Sequence, residues 1–348
     1  MMTKILAKSA IETIQADGWR VFMEQTARYL TLYGSPPKIG RYWWSRLTTK
    51  GDHLAQVQGS WMRLDIHERG IHSDLFISGI REPQATRYLQ SILKPEWTVV
   101  DIGANIGYYA LQEARVAKTV FAIEPGQDNF DHLQENIDLN GYKNVIPFQL
   151  AIGDHKGEVG FKVAKACNWN RIALDGETPD DQVPMATLDD FMGGLSIDFV
   201  RMDVEGYEIK ILEGMTQILK KQRPRMFIEV HRDLLKQFGS NQTEFMGLLA
   251  EYDYRIEKSY ISAREGPVGR IRTLLTDPDT RKKITERGIA SHMFFIPNKT
   301  CGECLYWDNK DDPRESCKVR GGSDDAACGA YAECWRELGN GNRDYSVS

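Results

Sequence analysis

The sequence predicts an α/β protein built on a doubly wound, mainly parallel sheet. Three observations carry that expectation. Short aliphatic runs recur from Thr98 to Ile296, and helix-length amphipathic stretches separate the first of them. Such alternation marks parallel strands joined by crossover helices. The runs themselves lack polar alternation, as strands covered on both faces do. Finally, 348 residues with 41% hydrophobic and 27% charged side chains form an ordinary globular composition, large enough to bury a full core without staples.

The elements follow in order. Residues 9–33 read as a helix, with Ile11, Ile14, Phe22, Tyr29 and Tyr33 near one face, and Gly34-Ser35-Pro36-Pro37 ends it. Arg41-Tyr42-Trp43-Trp44-Ser45-Arg46 is a basic, aromatic cluster expected to pack on the main domain, with contact to a membrane surface as the rival reading. Residues 56–80 read as short antiparallel strands turning at Gly59 and at Glu68-Arg69-Gly70. Thr98–Ile102 is the first buried strand, Gly103–Gly107 a turn and Tyr108–Ala117 a helix. Val120–Ile123 is a second strand, ending in Glu124-Pro125. Gly126–Asn140 is a helix with Phe130, Leu133 and Ile137 on one face, and Asn140-Gly141 is its stop signal.

Val145–Leu150 is the third strand, and residues 155–195 read as an irregular insertion. Ile197–Met202, Met226–Val230 and Ser291–Ile296 are further strands, with a helix over Tyr207–Lys221 and a helix end and strand over Leu248–Ile256. The domains expected are an N-terminal helical lobe (1–55), a main domain (56–298) and a cysteine-rich tail (299–348).

Charge narrows the function. The 44 basic and 49 acidic side chains leave a net −5, and the segment from Cys301 onward carries 6 basic against 10 acidic residues. An acidic chain is a poor general binder of nucleic-acid backbone, which needs clustered Lys and Arg. No uncharged apolar run approaches the ~20 residues that span a bilayer. The first thirty residues lack the apolar block of a secretory signal. The expected location is cytoplasmic, at most peripheral to a membrane.

The central signal is Val99-Val100-Asp101-Ile102-Gly103-Ala104-Asn105-Ile106-Gly107-Tyr108-Tyr109. It puts glycines at the carboxyl end of the first strand, where open α/β sheets bind ligands. The Gly-x-x-x-Gly spacing lacks the Gly-x-Gly-x-x-Gly of dinucleotide sites. Asp101, just before the first glycine, suits a cationic ligand better than a pyrophosphate. S-adenosylmethionine, with its sulfonium and ammonium and no phosphate, meets that requirement. Glu124 stands 23 residues further on, at the end of the second strand, where an acid can accept ribose hydroxyls. Ala151-Ile152-Gly153-Asp154 follows the third strand where adenine would lie, and Asp154 can accept the exocyclic amine. The expected cofactor residues are therefore Asp101, Gly103, Asn105, Gly107, Glu124, Ile152, Asp154 and Asp203.

On the acceptor side, Asp203-Val204-Glu205-Gly206 ends the fourth strand, and Glu229 and His231 end the fifth. An alcohol is a weak nucleophile and loses its proton near the transition state, to a positioned His or carboxylate. The catalytic candidates are His231 as base and Asp203 or Glu205 to orient the acceptor hydroxyls, with Glu229 on the same face as His231. A magnesium ion on Asp203, Glu205 and Glu229 is the alternative. Within the insertion, Cys167-Asn168-Trp169-Asn170-Arg171 suits a polar or sugar-like acceptor.

Taken together, Asp101–Tyr109, Asp203-Val204-Glu205-Gly206-Tyr207-Glu208 and Ile228-Glu229-Val230-His231 resemble the FkbM family of S-adenosylmethionine-dependent methyltransferases, over roughly 80–296. The resemblance implies a class I, Rossmann-like seven-stranded sheet and methyl transfer, usually to oxygen, on sugars, polyketides and other small hydroxylated compounds. A sugar or glycolipid acceptor is expected, and no nucleic acid. A nucleic-acid or N-methyltransferase is the enzyme alternative, but Asn/Asp-Pro-Pro-aromatic does not follow the fourth strand. A non-catalytic scaffold that binds the cofactor is the other.

Five of the six cysteines lie in the tail. C-x-x-C is a common half-site for a tetrahedral metal, and a segment with so few large apolar residues generally needs a staple. The expectation is a structural four-thiolate site of Cys301, Cys304, Cys317 and Cys328, with Cys334 spare. Zinc is the first choice, an iron–sulfur cluster the rival and disulfides the third possibility.

Overall fold

The computed structural model describes residues 40–42, 44–46, 51–68, 70–164, 166–261 and 291–298. The helix expected at 9–33 and the cysteine tail, including the zinc ligands assigned to it, lie outside the described residues. The chain divides between Ile296 and Pro297, and everything below concerns the first unit.

A hairpin of β1 (His53–Val57) and β2 (Ser60–Leu64) comes first, turning on Gln58 and Gly59, both at positive φ as a two-residue hairpin turn requires. The next stretch departs from the expected strands and forms helix α1 (Ile71–Ser78). Ile71, His72, Ser73, Asp74, Leu75 and Ile77 are all buried, so this helix lacks the polar face that would have betrayed its period. Tyr42 is fully buried and its ring lies 6.3 Å from Phe76, whereas Trp44 is 41% exposed. Helix α2 (Pro83–Ile92) leads to β3 (Thr98–Ile102).

From there strands and helices alternate: α3 (Tyr108–Ala114), β4 (Thr119–Ile123), α4 (Gln127–Asn140) and β5 (Val145–Phe148). The insertion then departs from expectation, being a four-stranded sheet rather than irregular. Its strands are β6 (Ala151–Ile152), β7 (Gly157–Lys162), β8 (Arg171–Ile172) and β9 (Asp181–Ala186), in the order β6-β9-β7-β8. Two of these strands are only two residues long, and Pro184 lies within β9, a position where proline argues against a paired strand.

Helix α5 (Leu188–Met192) returns to the main sheet at β10 (Phe199–Met202), followed by α6 (Glu208–Glu213) and β11 (Arg225–Val230). The single helix expected over Tyr207–Lys221 is interrupted after α6 at Gly214. A Cβ there would stand 1.9 Å from the Gly153 carbonyl oxygen, so glycine is required for the two backbones to touch. Helices α7 (Arg232–Gln237) and α8 (Gln242–Glu251) precede β12 (Tyr254–Ile261), and β13 (Ser291–Pro297) completes the set.

The seven-stranded sheet has the order β5-β4-β3-β10-β11-β13-β12. β5, β4, β3, β10 and β11 run parallel, and β13 pairs antiparallel with β11. The sheet is thus mixed, five parallel strands with an antiparallel strand beside them, as the resemblance implies. Every residue of β10 is buried, as two-sided coverage demands, and Phe227 stacks on Phe294 at 4.3 Å within the core. The strand order reverses between β3 and β10, and there the register pairs Ile102 with Met202. The loops that follow these two strands therefore leave the sheet side by side, at the topological switch point where such sheets bind ligands.

Candidate active site

The glycine loop owes its shape to a close approach. Gly103 has φ 78°, and a Cβ on it would stand 2.0 Å from the Asp203 carbonyl oxygen. Only glycine lets the loop after β3 lie against the loop after β10. Gly103, Asn105, Glu124, Ile152, Asp203 and Glu205 all line one cleft, whereas Asp101, Gly107, Asp154, Glu229 and His231 are not among its lining residues.

Glu124 is buried and tied to the loop: Asn105 N donates to its Oε2 at 2.9 Å and Gly126 N to its Oε1 at 3.0 Å. Burial pushes its carboxyl up to about 7, against the pull of those two backbone donors. Asn105 and Asn129 both donate side-chain hydrogen bonds to the Cys167 carbonyl, which fastens the insertion to the cleft rim.

Asp101 does not meet the cleft. It is fully buried, and Arg201 Nη1 donates to its Oδ1 at 2.8 Å. Arg201 Nη2 reaches Asp203 Oδ2 at 2.9 Å, and the guanidinium lies 4.1 Å from the Tyr109 ring centre. The cation that Asp101 serves is thus Arg201, and its influence on the cleft passes through that side chain to Asp203 and the glycine loop. Sequence reasoning missed Arg201. The available signal was a charged residue inside Phe199-Val200-Arg201-Met202, a strand buried on both faces, where an arginine needs a carboxylate partner. Asp154 is also engaged elsewhere, 2.7 Å from His155 Nδ1 and 3.0 Å from Lys210 Nζ. In the insertion, Asn168, Asn170 and Arg171 face the cleft, but Glu177 binds Arg171 through both carboxylate oxygens, at 2.7 and 2.9 Å, and Trp169 is 49% exposed.

The acid end is crowded. Glu205 has φ 50°, a left-handed conformation uncommon for a side-chain-bearing residue, and Gly206 follows at φ 103°. Burial pushes Asp203 up to about 6 and Glu205 up to about 7. His231 Nδ1 lies 3.0 Å from Glu208 Oε1, and the same oxygen accepts from the His231 backbone N. Its Nε2 faces Glu205 Oε2 and Glu229 Oε1 at 3.6 Å each and Asp203 Oδ1 at 3.9 Å. Burial lowers its pKa, but Glu205, Glu208 and Glu229 outweigh that and hold it well above the ordinary histidine value. His231 is not among the residues that line the cleft, and its Nδ1 is turned to Glu208, whereas Asp203 and Glu205 lie on the cleft wall.

Among the described residues, no helix is long and apolar enough to cross a membrane.

The hexuronic acid methyltransferase AglP of Haloferax volcanii is 28% identical over an alignment covering 43% of this chain and 62% of that protein. The 2-O-methyltransferase NoeI of Sinorhizobium fredii is 28% identical over 42% of this chain and 71% of its own length. The chain thus spans less than two thirds of the first of these relatives. The solved methyltransferase FkbM from Methylobacillus flagellatus KT aligns with a TM-score of 0.40 and 15% identity, over 63% of this chain and 52% of that one. The model of the methyltransferase FkbM domain matches residues 101–256, so this stretch of the chain carries an FkbM-type methyltransferase domain.

Proposed function

We propose that this chain transfers a methyl group from S-adenosylmethionine to a hydroxyl oxygen of a small, sugar-like acceptor. The observation that carries the reading is that a glycine turn, the buried strand-end carboxylate of Glu124 and the pair Asp203 and Glu205 share one cleft at the β3/β10 switch point. Glu124 would accept the ribose hydroxyls, Ala151 and Ile152 would flank the adenine, and Gly103 and Asn105 would let the backbone close on the donor. Asp203 and Glu205 would stand beside the sulfonium. Their charge favours the cationic donor, and once it becomes the neutral sulfide that attraction is gone, which helps release.

The chemistry asked of the protein is modest. An in-line displacement needs the acceptor oxygen held about 3 Å from the methyl and opposite sulfur, and positioning supplies most of the acceleration. The hydroxyl proton passes to Glu205 or Asp203. Carboxyls raised to about 7 and about 6 are matched to that task near neutral pH. The acceptor class is supported by the relatives, whose names specify a hexuronic acid and a 2-O position. Asn168 and Asn170 on the cleft wall suit hydroxyl recognition. A sugar carried on a lipid is the extended form of the same acceptor.

The test is incubation with methyl-labelled S-adenosylmethionine and a panel of uronic acids, neutral glycosides, glycolipids and RNA. Label on a sugar oxygen is expected. Label on RNA would replace this reading with a nucleic-acid methyltransferase. Cofactor binding with no turnover on any member of the panel would favour a binding scaffold instead.

A further inference from the structure

The cationic side chains on the cleft wall are those of Arg81, Arg171 and Arg201. Two of these are already engaged. Glu177 takes both Nη groups of Arg171 at 2.7 and 2.9 Å, and Asp101 and Asp203 take those of Arg201 at 2.8 and 2.9 Å. Arg81 differs. Its Nε donates to Glu82 Oε1 at 2.6 Å, and neither Nη has a hydrogen-bond partner among the described residues. The side chain is 20% exposed, so this charge is neither freely solvated nor paired through its fork. Its field reaches the acids of the cleft. Burial raises the Asp203 and Glu205 carboxyls, and Arg81 is among the cations that pull them back.

The side chain is built into place. Tyr109 Oη donates to Glu82 Oε2 at 2.6 Å, and His292 Nε2 stands 3.0 Å from the same oxygen, so the carboxylate that grips Arg81 is itself held. Arg81 N donates to Tyr108 Oη at 2.9 Å, and the Arg81 carbonyl accepts from Thr86 Oγ1 at 2.7 Å. Tyr108 and Tyr109 open α3 directly after the glycine loop, which registers Arg81 against that loop. Glu82 has φ 47°, a left-handed conformation that persists in a side-chain-bearing residue only where its surroundings over-determine it. A guanidinium clamped at Nε with both Nη free is a preorganised fork for a planar anion with two oxygens. A lone hydroxyl would use one N–H and leave the charge unmatched.

We propose that Arg81 binds a carboxylate of the acceptor, so that the cleft selects an acidic sugar. The inference rests on the methyl-transfer reading and deepens it. A carboxylate on the fork sets the sugar ring so that another of its oxygens meets Asp203 or Glu205. A neutral sugar leaves the fork unmatched in a half-closed cleft, and that penalty is the source of the discrimination. The amino-acid end of the donor is the other source of a carboxylate. The acceptor is favoured on two grounds. Arg81 acts on Asp203 and Glu205, the acids assigned to the acceptor hydroxyl. The donor carboxylate also carries an ammonium beside it, which would stand against the guanidinium, and a uronic acid brings no such cation.

The experiment titrates the full chain, with and without S-adenosylhomocysteine, by calorimetry. The probes are the methyl glycosides of glucuronic, galacturonic and mannuronic acid, each against its neutral sugar counterpart. At least one uronide should bind about tenfold or more tighter than its counterpart. Arg81→Gln should lose that preference, and Arg81→Lys, which keeps the charge without the fork, should keep only part of it. Arg171→Gln should retain it, because Glu177 already occupies that guanidinium. No preference in the wild type, or the same preference in Arg81→Gln, would overturn the inference. If Arg81→Gln does not fold, an undiminished preference in Arg81→Lys overturns it equally. S-adenosylhomocysteine and its analogue lacking the carboxylate form the second arm, and Arg81→Gln should bind each as the wild type does. Weakening of the first and not of the second would assign the carboxylate to the donor and overturn the acidic acceptor. No heat with S-adenosylhomocysteine in the wild type would sink the methyl-transfer reading, and an Arg81-dependent preference for uronides would survive it. That heat without the preference would sink the acidic acceptor alone.

Discussion

Glu124 gives the sharpest quantitative test, because its environment sets both a stability effect and a binding effect. Its carboxyl rises from an ordinary value near 4.5 to about 7 through burial. At about 1.4 kcal/mol per pH unit, this corresponds to about 3 kcal/mol. The direction follows from proton linkage. Between pH 4.5 and 7 the folded, cofactor-free protein keeps a proton that the unfolded chain releases, so the cost of ionising Glu124 is absent below 4.5, grows through that window and is complete above 7. Glu124→Gln removes the cost. It also loses one of the two carboxylate oxygens that accept from the Asn105 and Gly126 backbone N–H groups, a penalty of roughly 1–3 kcal/mol that does not depend on pH.

Urea unfolding of both proteins at pH 5 and pH 8 should therefore show the difference moving in favour of the Gln variant by about 2.5 kcal/mol as pH rises, since part of the cost is already present at pH 5. Cofactor binding should show the opposite dependence. Ribose hydroxyls need the ionised acid, so wild-type affinity for S-adenosylhomocysteine should fall toward tenfold per unit as pH drops below 7. The Gln variant should bind weakly at every pH. A stability difference that is flat between pH 5 and 8 would refute the reasoning.

Three other outcomes follow from named contacts. Gly103→Ala drives a methyl against the Asp203 carbonyl at 2.0 Å and should cost on the order of 2–4 kcal/mol in thermal or denaturant unfolding, with cofactor binding abolished. Arg201→Met strands buried Asp101 without its counter-charge and should cost about 3–5 kcal/mol, much of it recovered in the double variant Asp101→Leu/Arg201→Met; no recovery would argue against the pair. Glu205→Gln should lower kcat about 100-fold while calorimetry finds cofactor affinity little changed, and an unaltered kcat would remove Glu205 from the chemistry.

What the sequence disclosed depended on how local the cause was. That the glycine turn, Glu124 and the acids after the fourth strand share one cleft could be expected because each lies at a strand end that its own neighbours define. Asp101 was misjudged because its partner Arg201 is a hundred residues away, and only the parallel pairing of β3 with β10 brings them together. Asp154 was misjudged for the same reason, since Lys210 reaches it from α6. His231 has the residue type of a base but the surroundings of a cation, and those surroundings come from four carboxylates on three separate segments. The insertion concealed its strands behind short pairings and Pro184, and α1 concealed its period by being buried on nearly all sides.

The whole account stands on the cleft at the β3/β10 switch point holding a sulfonium nucleoside. Calorimetric titration of cofactor-free protein with S-adenosylhomocysteine tests this most directly. One molecule bound per chain, with the heat lost in Gly103→Ala, is the predicted result. No heat in the wild-type protein, or equal heat in the variant, would contradict it.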